Sequence, residues 1–331
     1  MFSANNYKAL PKISVVIPAY NAEKYIKRAV DSVLYQKGVD TEVIVINDGS
    51  KDSTSDILHK EYDNDIRVKI FDRENHGLYK SRVFGISKAS SEYITFIDAD
   101  DFIIKDLYAE LLNLFTAEID VVEFGITIYD EENRIINEER YDKRLWKHDV
   151  AIKRIITRKN SSCSVCNKIF KLRLFNIQQM DIDVKQYEED LLMNVIALRN
   201  ADKMLVTSQV GYCYCKHGNS ITTSQMDYKK MEVLNTWEHI FNELRRDMNL
   251  ERFAAASYCS RLAYYYCLFV AQTGTSDQYS FIREKFYSLY RRFKLWNYVY
   301  KDGESVMRRM MNRLFAISPA ICVKLFKLFF I

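Results

Sequence analysis

Four short apolar runs, each halted by a turn-forming or acidic residue, fill the first 97 residues and leave few architectures open. ISVVI (13–17) stops at Pro18, EVIVIN (42–47) runs into Asp48 and Gly49, IRVKIF (66–71) into Asp72, and YITFI (93–97) into Asp98. Runs of this length, rich in Val and Ile, suit buried strands. Between the first two, Tyr25, Ile26, Ala29, Val30, Val33 and Leu34 share one helical face, and Asn21 is placed to cap it. SKDSTSDILHKEY reads as a second capped helix, and a third runs to about Ala89. Strands alternating with helices call for an open, mainly parallel α/β sheet with helices on both faces. Ligands of such sheets bind beyond the carboxyl ends of the strands, so the loops starting at Pro18, Asn47 and Asp98 carry the functional interest.

Further on, IDVVEFGITI (119–128) reads as a strand, the polar run 129–149 as a loop or hairpin, and 203–216 as more sheet. EDLLMNVIAL (189–198) has helical periodicity, with its acidic residues at the start where the helix dipole favours them. Beyond Thr223 the pattern is helical at roughly 226–247, 250–272, 277–293 and 304–315, followed by an apolar, basic tail. The expected division is therefore a catalytic domain at 1–223 and an α-helical C-terminal region at 224–331.

Composition removes several function classes. Among only nine glycines, no pair is spaced to start G-x-G-x-x-G or G-x-x-x-x-G-K-[ST], so dinucleotide and P-loop readings lose their main support. Seven cysteines, an odd number, and no signal-like amino-terminal run favour a reducing, cytoplasmic setting. The longest apolar stretch, Leu262 to Ala271, falls well short of the roughly 20 residues a membrane span needs. The net charge of +4 hides a division, because residues 221–331 hold 17 Lys/Arg against 10 Asp/Glu while the rest of the chain is slightly acidic.

The segment FIDADD carries the clearest chemistry. Three carboxylates, Asp98, Asp100 and Asp101, at one strand end repel one another unless solvent or a cation offsets them, and oxygen ligands suit Mg²⁺ or Mn²⁺. The bland alternative is a solvated acidic turn, with Asp101 capping a helix over 102–116. Four companions weigh against it. SVVIPAYN (14–21), VIVINDGSKDST (43–54), NHGLYKSRVFG (75–85), FIDADD (96–101) and YEEDLLMN (187–194) follow in the order and spacing of family 2 glycosyltransferases with the GT-A fold, which the chain resembles over about residues 12–222.

That resemblance implies a site and a reaction. Asp48 resembles the aspartate that reads the base, since a carboxylate accepts the N3–H of uracil. Pro18, Ala19 and Tyr20 would wall the base. Asn75, Gly77 and Arg82 resemble the family's N-x-G-x-x-x-A-R-N-x-G, although Ser81 and Val83 depart from it, and Arg82 is expected to contact the nucleotide or an aspartate of the metal loop. Asp98-Ala99-Asp100 resembles the D-x-D, with Asp98 facing the ribose and Asp100 a Mn²⁺ or Mg²⁺ cofactor. Asp190 resembles the catalytic base, with Glu189 as the other candidate. Lys168, Lys216 and His217 lie in segments resembling those near acceptor and diphosphate, but the usual Y-x-Y-R is here Cys213-Tyr214-Cys215-Lys216. The implied activity is metal-dependent, inverting transfer from a UDP-sugar to a saccharide or lipid-linked acceptor in cell-surface polysaccharide biosynthesis. A nucleotidyltransferase of related sheet architecture and a catalytically silent membrane-associated scaffold are the competing readings.

Two features stand outside the motifs. Cys163, Cys166, Cys213 and Cys215 are either a four-thiolate zinc set or buried free thiols. From Ser305 to Ile331 there are five basic residues and no acidic one among Met, Leu and Phe side chains. Such a tail suits peripheral attachment to the cytoplasmic face of an anionic inner membrane, the alternative being packing on its own domain or on a second copy in a homo-oligomer. No nucleic-acid reader module accompanies the basic charge, so no nucleic-acid partner is expected.

Overall fold

The computed structural model describes residues 9–184, 187–217, 231–298 and 306–330. The expected boundary at 223/224 lies outside the described residues. The chain begins β1 (Lys12–Ala19), α1 (Ile26–Leu34), β2 (Asp40–Asp48), α2 (Thr54–Tyr62), β3 (Val68–Arg73), α3 (Leu78–Lys88) and β4 (Tyr93–Phe96). Then follow β5 (Phe102–Ile103), α4 (Leu107–Leu112), β6 (Ile119–Tyr129), β7 (Ile135–Glu139), β8 (Arg144–Lys147), α5 (His148–Thr157) and β9 (Lys168–Lys171). The sheet is completed by α6 (Ile177–Met180), α7 (Glu189–Arg199) and β10 (Lys203–Cys215).

These strands form one mixed sheet in the order β3-β2-β1-β4-β9-β6-β10-β5, with β7 on β6 and β8 on β10. The long ladders, β1 with β2, β2 with β3, β1 with β4 and β6 with β10, are parallel, while the antiparallel ones are short. Strands β1 to β3 are added in one direction and β4 returns to the other side of β1. Right-handed crossovers therefore place α1 and α2 on one face and α3 on the other. Both faces being covered, β1 is buried continuously from Ile13 to Ala19. Helix α3 lies tight on this strand, since a Cβ at Gly85 would come within 2.3 Å of Val16 Cγ1.

Two local expectations are corrected. Asn21 does not cap α1; it has a φ of 50° and its Oδ1 accepts from the Lys51 N–H at 2.8 Å, tying the loops after β1 and β2. The helix expected over 102–116 is instead β5 followed by the short α4. Of the loop or hairpin expected over 129–149, the structure has the hairpin: β7 turns back antiparallel on β6, and β8 then pairs with β10, with their side chains mostly exposed. The segment 203–216 adds to the sheet as expected, as the single strand β10, whose register shifts between Val206 and Tyr212.

Helices α8 (Glu232–Leu244), α9 (Glu251–Thr273), α10 (Ser280–Arg292), α11 (Val306–Ile317) and α12 (Pro319–Phe330) make up the C-terminal region. The long α9 is apolar around most of its circumference and packs against α8, α10, α11 and α12, as an all-round buried helix must. Helix α8 also packs on α7, joining this region to the sheet domain. Among the described residues, no helix is long and apolar enough to cross a membrane.

Candidate active site

The carboxyl ends of β1, β2 and β4 converge. The register pairs Ala19 with Asn47 and Val16 with Phe96, and the Ile97 N–H reaches the Val16 carbonyl at 3.1 Å. Asp98, Ala99 and Asp100 thus leave the sheet beside Pro18, Ala19 and Asp48. Pro18, Ala19 and Ala99 are buried and the Tyr20 ring is half exposed at the rim.

Asp48 is buried at the end of β2, and its two oxygens accept the His76 N–H at 3.0 Å and the Gly77 N–H at 2.8 Å. It therefore shapes the turn that carries exposed Asn75 into α3, while a lone pair on each oxygen remains free to accept from a ligand. The next residue, Gly49, has a φ of 77°, and a Cβ there would lie 2.8 Å from the Asn75 nitrogen. Only glycine lets these two loops close.

Arg82 organises the center. Buried on α3, its Nη2 donates to Asp98 Oδ1 at 2.8 Å, while Nη1 donates to Asp190 Oδ1 and faces Glu189 Oε1 at 3.4 Å. One fork joins the acidic end of β4 to the start of α7, a role that suits a planar guanidinium. Of the two expected contacts for Arg82, the geometry provides the aspartate.

Burial, reinforced by the Asp190 charge, pushes the Glu189 carboxyl up from its ordinary value. Burial likewise raises Asp190, with Arg82 opposing it. Carboxylates raised in this way are stronger proton acceptors than exposed ones, which is what a general base requires. Asp100 is also raised, by burial and by the neighbouring Asp98 charge, and among the described residues no ion pair reaches it.

That unrelieved charge is the observation that fits a divalent cation. Among the described residues, no group of three His, Cys, Asp or Glu side chains is poised as a complete metal site. Asp100 suits an ion that takes most of its oxygen shell from a diphosphate and water, as Mg²⁺ and Mn²⁺ commonly do.

Asp101 is corrected from helix cap to buried anchor. Its Oδ1 accepts the Cys215 N–H at 2.8 Å and its Oδ2 the Tyr212 hydroxyl, tying the D-x-D loop to β10. Lys168 is also corrected. Fully buried, its ammonium pairs with Glu123 at 3.2 Å and donates to the carbonyls of Ser162 and Ser164, so it supports a loop rather than facing a ligand. The geometry favours buried thiols over the four-thiolate zinc set: among the described residues, no three of Cys163, Cys166, Cys213 and Cys215 come together as a metal site, and burial pushes Cys166 well up, Cys213 to about 12 and Cys215 to about 11. His217 stacks on Tyr25 with ring centroids 4.4 Å apart, and its buried Nε2 has no hydrogen-bond partner among the described residues.

Two sets of residues escaped the sequence. Arg28 on α1 donates to the Asp100 carbonyl at 2.6 Å and to Cys215 Sγ at 3.3 Å, bringing a cation to the D-x-D loop. Its only local signal is a basic residue beside the buried face of α1. The second set braces the start of α7. Tyr187 and Glu188, just ahead of Glu189, both have left-handed backbones, with φ of 70° and 58°. Such geometry costs non-glycine residues energy and must be held by its surroundings. Here the Glu188 carboxylate accepts from Trp237 Nε1 of α8 and pairs with Arg261 of α9 at 3.1 Å, and that guanidinium lies 5.2 Å from the Trp237 ring. The C-terminal helices thereby hold the turn that aims Asp190.

Residues 14–177 match the family model described as Glycosyl transferase family 2. The chain is 28% identical to Glycosyltransferase GlyA of Streptococcus pneumoniae over 213 residues, 61% of this chain and 30% of GlyA. It is 42% identical to the chondroitin synthase of Pasteurella multocida over 97 residues, 29% of this chain and 10% of the synthase. It thus spans under a third of the length of either relative. Residues 1–349 of TarS from S. aureus superpose with a TM-score of 0.68 at 21% identity, covering 95% of this chain and 90% of that one. The same TarS segment has been solved with UDP-GlcNAc and with UDP. At this identity the likeness establishes the fold, an open GT-A sheet followed by helices.

Proposed function

The chain carries a glycosyltransferase family 2 domain, and from that premise we propose that it transfers a sugar from a UDP-sugar, with inversion, to a saccharide or lipid-linked acceptor in cell-surface polysaccharide assembly. The observation that carries this reading is the buried Arg82 fork, which holds Asp98 and Asp190 on either side of one guanidinium. The donor's leaving group and the acceptor's base are thereby set at a fixed separation, as an in-line displacement needs. The UDP and UDP-GlcNAc complexes of TarS support the choice of nucleotide.

In this reading Asp48 accepts the uracil N3–H, the half-exposed Tyr20 ring lies against the base, and Asp98 faces the ribose. Arg28 and His217 approach the diphosphate from the other side of the D-x-D loop. Asp190 takes the proton of the acceptor hydroxyl as its oxygen attacks the anomeric carbon from the face opposite UDP. The bond from the anomeric carbon to the phosphate oxygen breaks, its electron pair leaves with UDP, and the configuration inverts. A bound Mn²⁺ or Mg²⁺, held by Asp100, supplies charge neutralisation for the departing diphosphate.

Asp190→Asn tests the base. The expected result is UDP affinity near that of the parent protein with turnover reduced by roughly 10²–10⁴-fold, the usual worth of a general base. Near-normal turnover would remove Asp190 from the role and return it to Glu189.

A further inference from the structure

Helix α12 is apolar on two opposite faces, and among the described residues only one of them is covered. Cys322, Val323 and Phe326 are buried against α9, where Phe326 meets Tyr264 at 5.4 Å between ring centroids. Ile321, Leu325 and Leu328, spaced four and three residues apart, share the other face and are 49%, 39% and 76% exposed. Ile317, also exposed, closes α11 just ahead of them. Exposed Lys324 and Lys327 flank this stripe. Within 306–330 the sequence contains no carboxylate at all.

We propose that this outer face of α12 docks on an anionic lipid surface. Leaving three large aliphatic side chains in water forgoes the gain their burial would bring, so the stripe is built for a second apolar phase. Charge decides which phase. A second copy of the chain would bring lysines against lysines with no carboxylate on α11 or α12 to offset them. An anionic bilayer accepts the aliphatic stripe between its acyl chains and the lysine ammoniums at its headgroups, as interfacial helices do. None of these residues belongs to the catalytic site, so the inference stands apart from the transfer reaction proposed above.

Flotation of the full-length protein with vesicles tests it, using phosphatidylcholine alone and phosphatidylcholine mixed with phosphatidylglycerol. The protein should float with the anionic vesicles, stay behind with the neutral ones, and be released by high salt. Lys324→Ala with Lys327→Ala should weaken binding by about fivefold for each lysine removed. Ile321→Glu, Leu325→Glu and Leu328→Glu combined should abolish it while leaving the melting temperature and UDP affinity unchanged, because all three side chains are exposed. Absence of binding to anionic vesicles, or binding unaffected by the triple substitution, would overturn the proposal. So would a dimer in light scattering that Leu328→Glu splits without any accompanying vesicle binding, which would assign the face to a second copy.

Discussion

The two ends of the parallel strands treat buried carboxylates in opposite ways. At the amino end of β2, Glu42 is closed in by Ser14, by Lys69 at 2.6 Å and by the N–H and hydroxyl of Ser90 at 2.9 and 2.8 Å. Burial opposes its ionisation, but Lys69, Ser14 and Ser90 outweigh it and hold the carboxyl at about 2. At the carboxyl end, Asp100, Glu189 and Asp190 share too few cations, and burial pushes all three up. The first arrangement stabilises the fold. The second stores repulsion where a cation, a diphosphate and an acceptor proton can relieve it, which marks a site of chemistry.

The sharpest way to break this contrast is to remove the buried guanidinium that joins the acidic groups at the carboxyl end. Arg82→Ala strands Asp98, Glu189 and Asp190 together, so it should cost about 3–5 kcal/mol of stability in denaturant unfolding and eliminate turnover. Arg82→Lys should keep the charge, recover part of the stability, and still lose turnover because the fork is gone. Asp100→Ala should spare stability but lower turnover by roughly 10²–10³-fold, the scale of a lost charge-stabilising group at a leaving center. A large drop in melting temperature for this variant would show Asp100 to be structural, like Glu42.

Glu42→Gln probes the opposite end. Because its folded value lies below the ordinary 4.5, the stabilisation is fully present above that pH and disappears as pH falls from about 4.5 towards 2. The variant should lose about 3 kcal/mol at neutral pH, with the deficit vanishing on acidification and turnover per folded molecule unchanged. The smallest effect is expected for Glu188→Gln, which loosens the brace from Trp237 and Arg261. A fall in kcat of about tenfold with UDP affinity intact would fit a tilted base.

What was legible in the sequence was local. The strand ends, the carboxylates that follow them and the acidic start of α7 declare themselves because each is set by neighbours within a few residues. What escaped was set at long range. Asp101 looks like a helix cap beside Asp100, yet its partners are Tyr212 and Cys215 of β10. Lys168 reads as a ligand-facing cation until Glu123 and two loop carbonyls surround it. Glu188 looks like one more surface charge until two helices beyond the sheet domain close on it.

In the proposed reaction, the carboxyl end of this sheet cleaves a sugar from UDP. Its most direct test is UDP release by the purified protein across a panel of UDP-sugars, with Mn²⁺ or Mg²⁺ supplied and then removed by EDTA. UDP should be released from at least one UDP-sugar, with release lost on chelation and restored by adding the metal back. Failure to release UDP from any donor while UDP itself binds, or release indifferent to EDTA, would contradict it.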